Sequence, residues 1–257
     1  MGNLAADLRY ALRAMRKSAG FTVIAVAALT LGIGANTAIF TVVNAVLLDP
    51  LPYPQPDRIM KLGRQYPQGK GYSNSIPKYM TWRHNQVFEA MAIYDQNSLS
   101  MNLGSSTPPD AVKALHVSRE YFNVLGVPPF LGRAFTAEED LPKGPSAVVL
   151  TYSVWQSRFG GDRSLIGRTV LLNGRAYPVV GVMPQGFRSD VEADVFLPFQ
   201  ADPNSSNQGH YLWVAGRLKP GVTVGAAQAQ MKIVGEQFRR RYPKFMDPTE
   251  SVLVTPL

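Results

Sequence analysis

Between Phe21 and Leu48 the chain reads FTVIAVAALTLGIGANTAIFTVVNAVLL, without one charged side chain. About 20 apolar residues cross a bilayer as a helix. At about 1.5 Å per residue this run would reach roughly 42 Å, more than the roughly 30 Å of a hydrocarbon core. The expectation is a transmembrane helix and stem over 21–48, greasiest from Phe21 to Ile33. Its later residues Asn36, Thr37, Thr41 and Asn44 suit the interface or beyond. The proline-rich LDPLPYPQP from Leu48 to Pro56 then stops the helix, because proline supplies no N–H. A cleaved signal peptide is the competing reading, with Ala25-Val26-Ala27 as the cleavage-like triplet. That triplet lies inside the apolar run, which is longer than the usual signal core of about 7–15 residues.

Ahead of the run stand Arg9, Arg13, Arg16 and Lys17 against Asp7, and Asp49 follows it. Cations stay on the cytoplasmic side, so residues 1–20 are expected inside and 49–257 outside. Leu4, Leu8, Leu12 and Met15 recur at helical spacing. They read either as a basic amphipathic helix on the inner leaflet or as a flank that only sets topology. Within the run, Ala28, Gly32 and Asn36 lie four apart and share a helix face; Gly34 and Ala38 form a second small pair. Small residues let another membrane helix approach closely, and Asn36 can hydrogen-bond across such a contact.

The rest of the chain does not look like membrane. Over 257 residues the mean hydropathy is −0.06, with 46% hydrophobic and 17% charged residues. This composition argues against disorder and against a polytopic protein. With no cysteine, disulfide scaffolds, thiol catalysis and Cys-based zinc sites are excluded. The net charge of +8 is thinly spread beyond the N-terminus, a poor footprint for nucleic acid.

Beyond Pro56, strand and helix signals alternate. Strands are expected over Arg58–Leu62, Ser98–Leu103, Val112–Val117, Ala147–Leu150, Tyr211–Leu218 and Ser251–Val254. Ser75 can cap a helix, with Pro77 in its first turn, running to about Tyr94. Shorter helices fit Glu120–Leu125 and Ser153–Phe159, and a longer one Thr223–Arg240, with Ala227, Met231, Val234 and Phe238 on one face. Asn173-Gly174 between Thr169–Leu172 and Ala176–Val182 is the preferred two-residue hairpin turn. The interspersed pattern reads as an α+β extracytoplasmic domain in two lobes. Leu141–Ser146 and Ala201–Gly209 are candidate boundaries between those lobes.

Catalytic and cofactor motifs are not found. Gly63 to Gly71 has the wrong spacing for a P-loop, and Gly71 stands where Ser or Thr should ligand magnesium. It reads as a solvated turn. Glu138-Glu139-Asp140 reads as a solvated loop rather than a metal site. Arg239-Arg240-Arg241 suit the end of a helix. No Gly-x-Ser-x-Gly elbow occurs, and His84, His116 and His210 are far apart in sequence. No catalytic, cofactor-binding or metal-ligating residue is therefore expected.

In order along the chain stand Asp7-Leu-Arg-Tyr-Ala-Leu-Arg13, Leu29-Thr-Leu-Gly-Ile-Gly-Ala-Asn-Thr-Ala-Ile-Phe40, Leu51-Pro-Tyr-Pro54 and Ser118-Arg-Glu-Tyr-Phe-Asn-Val-Leu-Gly126. Gly132-Arg-Ala-Phe135, Trp155-Gln-Ser-Arg-Phe-Gly-Gly161, Ile166-Gly-Arg168, Leu172-Asn-Gly174 and Val180-Gly-Val-Met-Pro-Gln-Gly-Phe187 follow. Each piece is weak alone, but in this order and spacing the chain resembles the N-terminal part of MacB-like ABC-transporter permeases, in particular the acidobacterial type. The resemblance implies a first membrane helix leading into a periplasmic core domain over 49–257. One lobe would be similar to the porter domains of efflux pumps and the second inserted. It implies a bacterial inner-membrane location and export or mechanical work driven by a separate or fused ABC ATPase. The implied partners are membrane lipid, that ATPase, further permease helices and a second copy of the chain. In the family, further membrane helices and a coupling loop follow the domain, so a chain ending at Leu257 is expected to lack them. The resemblance carries no active-site role to any position. A signal-anchored extracytoplasmic binding or adaptor module without transport is the alternative, and an extracytoplasmic enzyme a more distant one.

Overall fold

A computed structural model of the chain describes residues 9–10, 13, 15–43, 53–104 and 110–257. It divides into a helical N-terminal unit up to residue 51 and a second unit from residue 52 onward.

The first unit holds helix α1, Ala19–Val43. Its stretch Ala19–Thr37 is long and apolar enough to cross a membrane, and none of it is buried. Phe21, Ile24, Leu29, Leu31 and Ile33 are each more than half exposed, a surface that water would penalise. The proline-rich stop up to Pro52, and Leu4, Leu8 and Leu12 of the amphipathic segment, lie outside the described residues.

The second unit is built on a mixed sheet. Its strands are β1 (Ile59–Tyr66), β2 (Gly69–Gly71), β3 (Phe88–Asp95), β4 (Leu99–Asn102), β5 (Ala111–Val117) and β6 (Leu131–Gly132). Then come β7 (Val148–Leu150), β8 (Thr169–Leu172), β9 (Arg175–Val182), β10 (Val195–Pro198), β11 (Leu212–Leu218) and β12 (Ser251–Pro256). Helices α2 (Ile76–Trp82), α3 (Tyr121–Leu125), α4 (Tyr152–Phe159) and α5 (Val224–Arg241) pack around it. The spatial order is β12-β1-β11-β3-β5-β10-β7-β9-β6, with β2 on β1, β4 on β5 and β8 on β9.

Among the described residues, two apolar clusters can be followed along this sheet. In the first, β1, β3, β11 and β12 turn Met60, Leu62, Ile93, Val214 and Val252 toward Tyr79 and Trp82 of α2 and Met231 and Val234 of α5. Helix α5 starts where the Thr223 hydroxyl accepts from Ala226 N at 3.2 Å, and its every-third-or-fourth apolar residues make one buried stripe. In the second core, Val112, Ala114, Val148, Val179, Val195 and Leu197 meet Trp155 of α4 and Leu165. Between the cores the sheet narrows to one registered pair, Tyr94 with Val117, beside mutual backbone and hydroxyl bonds of Ile93 and Ser118.

The strands of the second core close on themselves. β4, β5, β10, β7, β9 and β8 are paired in that sequence. The ends of β4 and β8 are then joined by the Leu103–Leu172 bridge and by Asn173 N donating to Asn102 O at 2.9 Å. This ring comprises the chain from β4 to β10, inserted between β3 and β11.

Most expected elements lie where the pattern placed them, with three corrections. The helix from Ser75 ends at Trp82, and Phe88–Asp95 is a central strand. Asn85 makes the break: its Oδ1 accepts from Val87 N and Phe88 N, an Asx-type turn that reverses the chain. Leu141–Ser146 is no boundary, since it lies within the inserted segment; the chain passes between the cores at residues 96–98 and 199–211. The acidic run Glu138–Asp140 is not simply solvated. Glu139 is buried and takes a bidentate pair from Arg133 at 2.7 and 2.8 Å, and Asp140 accepts from Arg119 N and Gln200 N.

Candidate functional site

The segment Tyr53–Arg58, the first described stretch of the second unit, is bound on several sides. Tyr53 is buried, and its hydroxyl donates to Arg188 O at 2.7 Å. Pro54 O accepts from Arg217 Nη2 at 3.0 Å. Arg58 donates from Nε and Nη2 to Leu218 O at 2.9 and 2.5 Å and pairs with Glu89 at 2.8 Å. Arg217 is the centre of this joint. It rises from β11 with only 5% exposure and also donates from Nε to Val124 O at 2.8 Å. Burial, then the neighbouring Arg58 charge, lowers its pKa, yet a guanidinium stays charged in proteins. Gly126 makes room for it: with φ +71°, any Cβ there would stand 2.7 Å from Arg217 Nη2.

Beside the joint, Asp190 gathers groups from two strands of the first core and from α3. It accepts from the Tyr94 hydroxyl at 2.6 Å and the Tyr121 hydroxyl at 3.2 Å, and lies 3.9 Å from Lys61 Nζ. Lys61 Nζ sits 3.1 Å from the centre of the Trp213 ring, a cation–π contact. Burial and then Asp190 raise the phenol pKa of Tyr53, Tyr94 and Tyr121, so these hydroxyls stay protonated donors. Burial lowers the pKa of Lys61, and Asp190 opposes that. Asp190 and Arg188 belong to the connection between β9 and β10. The segment preceding β1, the sheet of the first core and a loop of the inserted ring therefore meet at one place.

A second polar group lies at the far end of β1. Lys78 of α2 forms a buried ion pair with Glu250. The Tyr66 hydroxyl donates to Glu250 at 3.0 Å and accepts from Arg64 at 2.6 Å. Burial lowers the Lys78 pKa against the pull of Glu250. Burial, then the charges of Lys78 and Arg64, pushes the imidazole of His210 down to about 4.

The sequence-expected positions fall elsewhere. Ala28, Gly32 and Asn36 are all exposed on α1, and a Cβ at Gly32 would meet nothing within 4 Å. Asn173 and Gly174 join β8 to β9 with φ 47° and 76°, both positive as a type I′ turn requires. Gly63–Gly71 is the β1–β2 hairpin. The three histidines do not meet: His116 pairs with Asp95 at 2.8 Å, His210 adjoins Lys78 and Arg64, and His84 is exposed after α2. Among the described residues no group of three His, Asp or Glu could hold a metal ion. No sequence motif marks Tyr53, Asp190 or Arg217 as site residues. The one legible signal was Arg217, a charge inside the apolar strand Leu-Trp-Val-Ala-Gly-Arg-Leu.

The family described as MacB-like periplasmic core domain matches residues 22–234. Among solved structures, the chain is similar to a domain of a permease-like protein from Porphyromonas gingivalis, at 17% identity and TM-score 0.60, over 80% of this chain and 93% of that one. The periplasmic region of MacB from Actinobacillus actinomycetemcomitans matches at 17% identity and TM-score 0.54, over 81% and 93%. The extracellular domain of the noncanonic ABC-type transporter YknZ from Gram-positive bacteria matches at 14% and 0.52, over 76% and 99%. At these identities the structures establish the fold alone. Among curated proteins no sequence matches the chain.

Proposed function

Because the chain belongs to the family of MacB-like periplasmic core domains, we propose that it is the anchor helix and extracytoplasmic domain of a permease component in an ABC-type export or mechanotransmission system. Helix α1 spans the bacterial inner membrane, with Arg9, Arg13, Arg16 and Lys17 on the cytoplasmic side. The domain stands outside and has no catalytic chemistry of its own. A cytoplasmic ATPase supplies energy, and further permease helices, lipid and a second copy of the chain are the partners. On α1, the Ala28, Gly32 and Asn36 face receives another membrane helix.

The observation that carries this reading is the joint at Arg217. A relay must not lose its input in slack. Tyr53 to Arg58 is held by Arg217 to the first core's sheet and to α3, and by the Tyr53–Arg188 bond to the inserted ring. A displacement delivered to this segment therefore reaches both cores. Leu257 N donates to Ile59 O at 3.0 Å, so the start of β1 and the end of β12 lie side by side, and push or pull there acts on both strands together.

Topology is the first test. Protease added to intact spheroplasts should degrade the 53–257 part of the full chain and leave a protected N-terminal fragment. Full protection would contradict the reading. Recovery of a mature protein beginning near Ala28 would instead make the apolar run a signal peptide.

A further inference from the structure

The closed ring of the second core has a cavity of about 160 Å³ at one rim, lined by His116 of β5, Ser146 ahead of β7, Arg175 and Tyr177 of β9, and Leu197, Phe199 and Gln200 at and beyond the end of β10. Rims of small barrels are recurrent ligand sites. What distinguishes this one is its set of free donors. The guanidinium of Arg175 and the hydroxyls of Ser146 and Tyr177 make no hydrogen bond or ion pair among the described residues. Tyr177 is nonetheless only 9% exposed. No Asp or Glu lines the cavity.

Two acids hold lining residues without lining the cavity themselves: Asp140, which bonds Gln200, and Asp95. Asp95 Oδ2 lies 2.8 Å from His116 Nδ1, which fixes the ring and leaves Nε2 as the nitrogen without a partner. Gln200 closes one side at φ 55°. It is held there by Asp140, which accepts its N–H at 3.0 Å, and by its own amide donating to Glu139 O and Gly144 O. A non-glycine residue persists in that region where its surroundings hold it.

We propose that this rim cavity binds a small carboxylate carried on a short apolar stem. The guanidinium and the two hydroxyls meet the carboxylate, since Arg is matched to planar two-oxygen acceptors. The lining is mostly polar, so only the first carbons behind the carboxyl group meet apolar atoms, those of Leu197 and Phe199. The volume admits only a few carbon atoms beyond the carboxyl group.

Butyrate is the probe. Titrated into the full chain in an uncharged detergent, it should shift the ring signal of His116, which the chain's few histidines make assignable with a His116→Gln variant. The shift should saturate at about millimolar concentration, a dissociation free energy of roughly 4 kcal/mol. Arg175→Gln, at an exposed position, should weaken it at least tenfold with the melting temperature unchanged, while 1-butanol should leave the signal where it was. The proposal is overturned by no saturable shift, by an equal response to butanol, or by an Arg175→Gln chain that melts normally and binds as before. Inorganic phosphate binding as tightly as butyrate would overturn the apolar stem and leave an oxyanion site of another kind.

Discussion

Arg217 shows how a single side chain decides whether this domain has a firm base. It fills a place that only a glycine at 126 leaves open, and it satisfies Val124 O and Pro54 O together. Gly126 and Gly174 both have positive φ, 71° and 76°, but a Cβ at Gly174 would meet nothing within 4 Å. Gly174→Ala therefore pays backbone strain alone, about 1 kcal/mol or a little more. Gly126→Ala adds the displacement of a buried guanidinium and should cost about 2–4 kcal/mol in all. Thermal melts of the two variants should differ by several degrees, Gly126→Ala melting lower; equal melts would remove Arg217 from the account. His210 gives a pH signature. Its folded pKa of about 4 lies below the ordinary 6.5, so between those values the unfolded chain binds the extra proton. Stability then falls as pH drops from about 6.5 to about 4. The side chain reaches the surface, and solvent softens the effect. A His210→Gln chain should lose less stability across that window; an identical pH profile would contradict the lowering of the His210 pKa beside Lys78 and Arg64.

At the scale of elements, β12 is the most instructive strand. It ends the sheet, and an edge offers free backbone groups to any other chain. Here Gln228 of α5 occupies them: its Oε1 accepts from Val254 N at 2.8 Å and its Nε2 donates to Val252 O at 2.6 Å. Gln228→Ala reopens the edge, and sedimentation should then show concentration-dependent association beyond that of the parent. A monodisperse variant would mean that α5 itself shields the edge. This device was invisible in the sequence, because a lone Gln on a helix looks like any solvent-facing residue. The elements themselves were largely legible wherever a local signal sufficed: Asn173-Gly174 for the β8–β9 turn, Thr223 and the Ala227–Phe238 stripe for α5. They were not legible where a non-local partner decided. Phe88–Asp95 has helix-compatible composition and becomes a strand because β11 pairs along it and Asn85 turns the chain. Val195–Pro198 carries no strand signal of its own, because so short an apolar run makes sense only between β5 and β7. The joint was legible only as an unexplained charge in β11, since its partners come from residues 54, 124 and 188.

For the whole molecule, the central claim is that Tyr53–Arg58 moves as one body with both cores. The absence of cysteine makes the claim directly measurable, because spin labels attach only where thiols are introduced. Asp57 and Arg163 are exposed, one in the segment before β1 and one in the inserted ring; Lys232, exposed on α5, completes a reference pair with Arg163. Electron–electron dipolar spectra of the full chain labelled at Asp57→Cys and Arg163→Cys should give one narrow distance, no broader than that of Lys232→Cys with Arg163→Cys. Adding Arg217→Met should broaden the first distribution and spare the second. A broad Asp57–Arg163 distribution in the parent chain would contradict the account, as would one that Arg217→Met leaves unchanged.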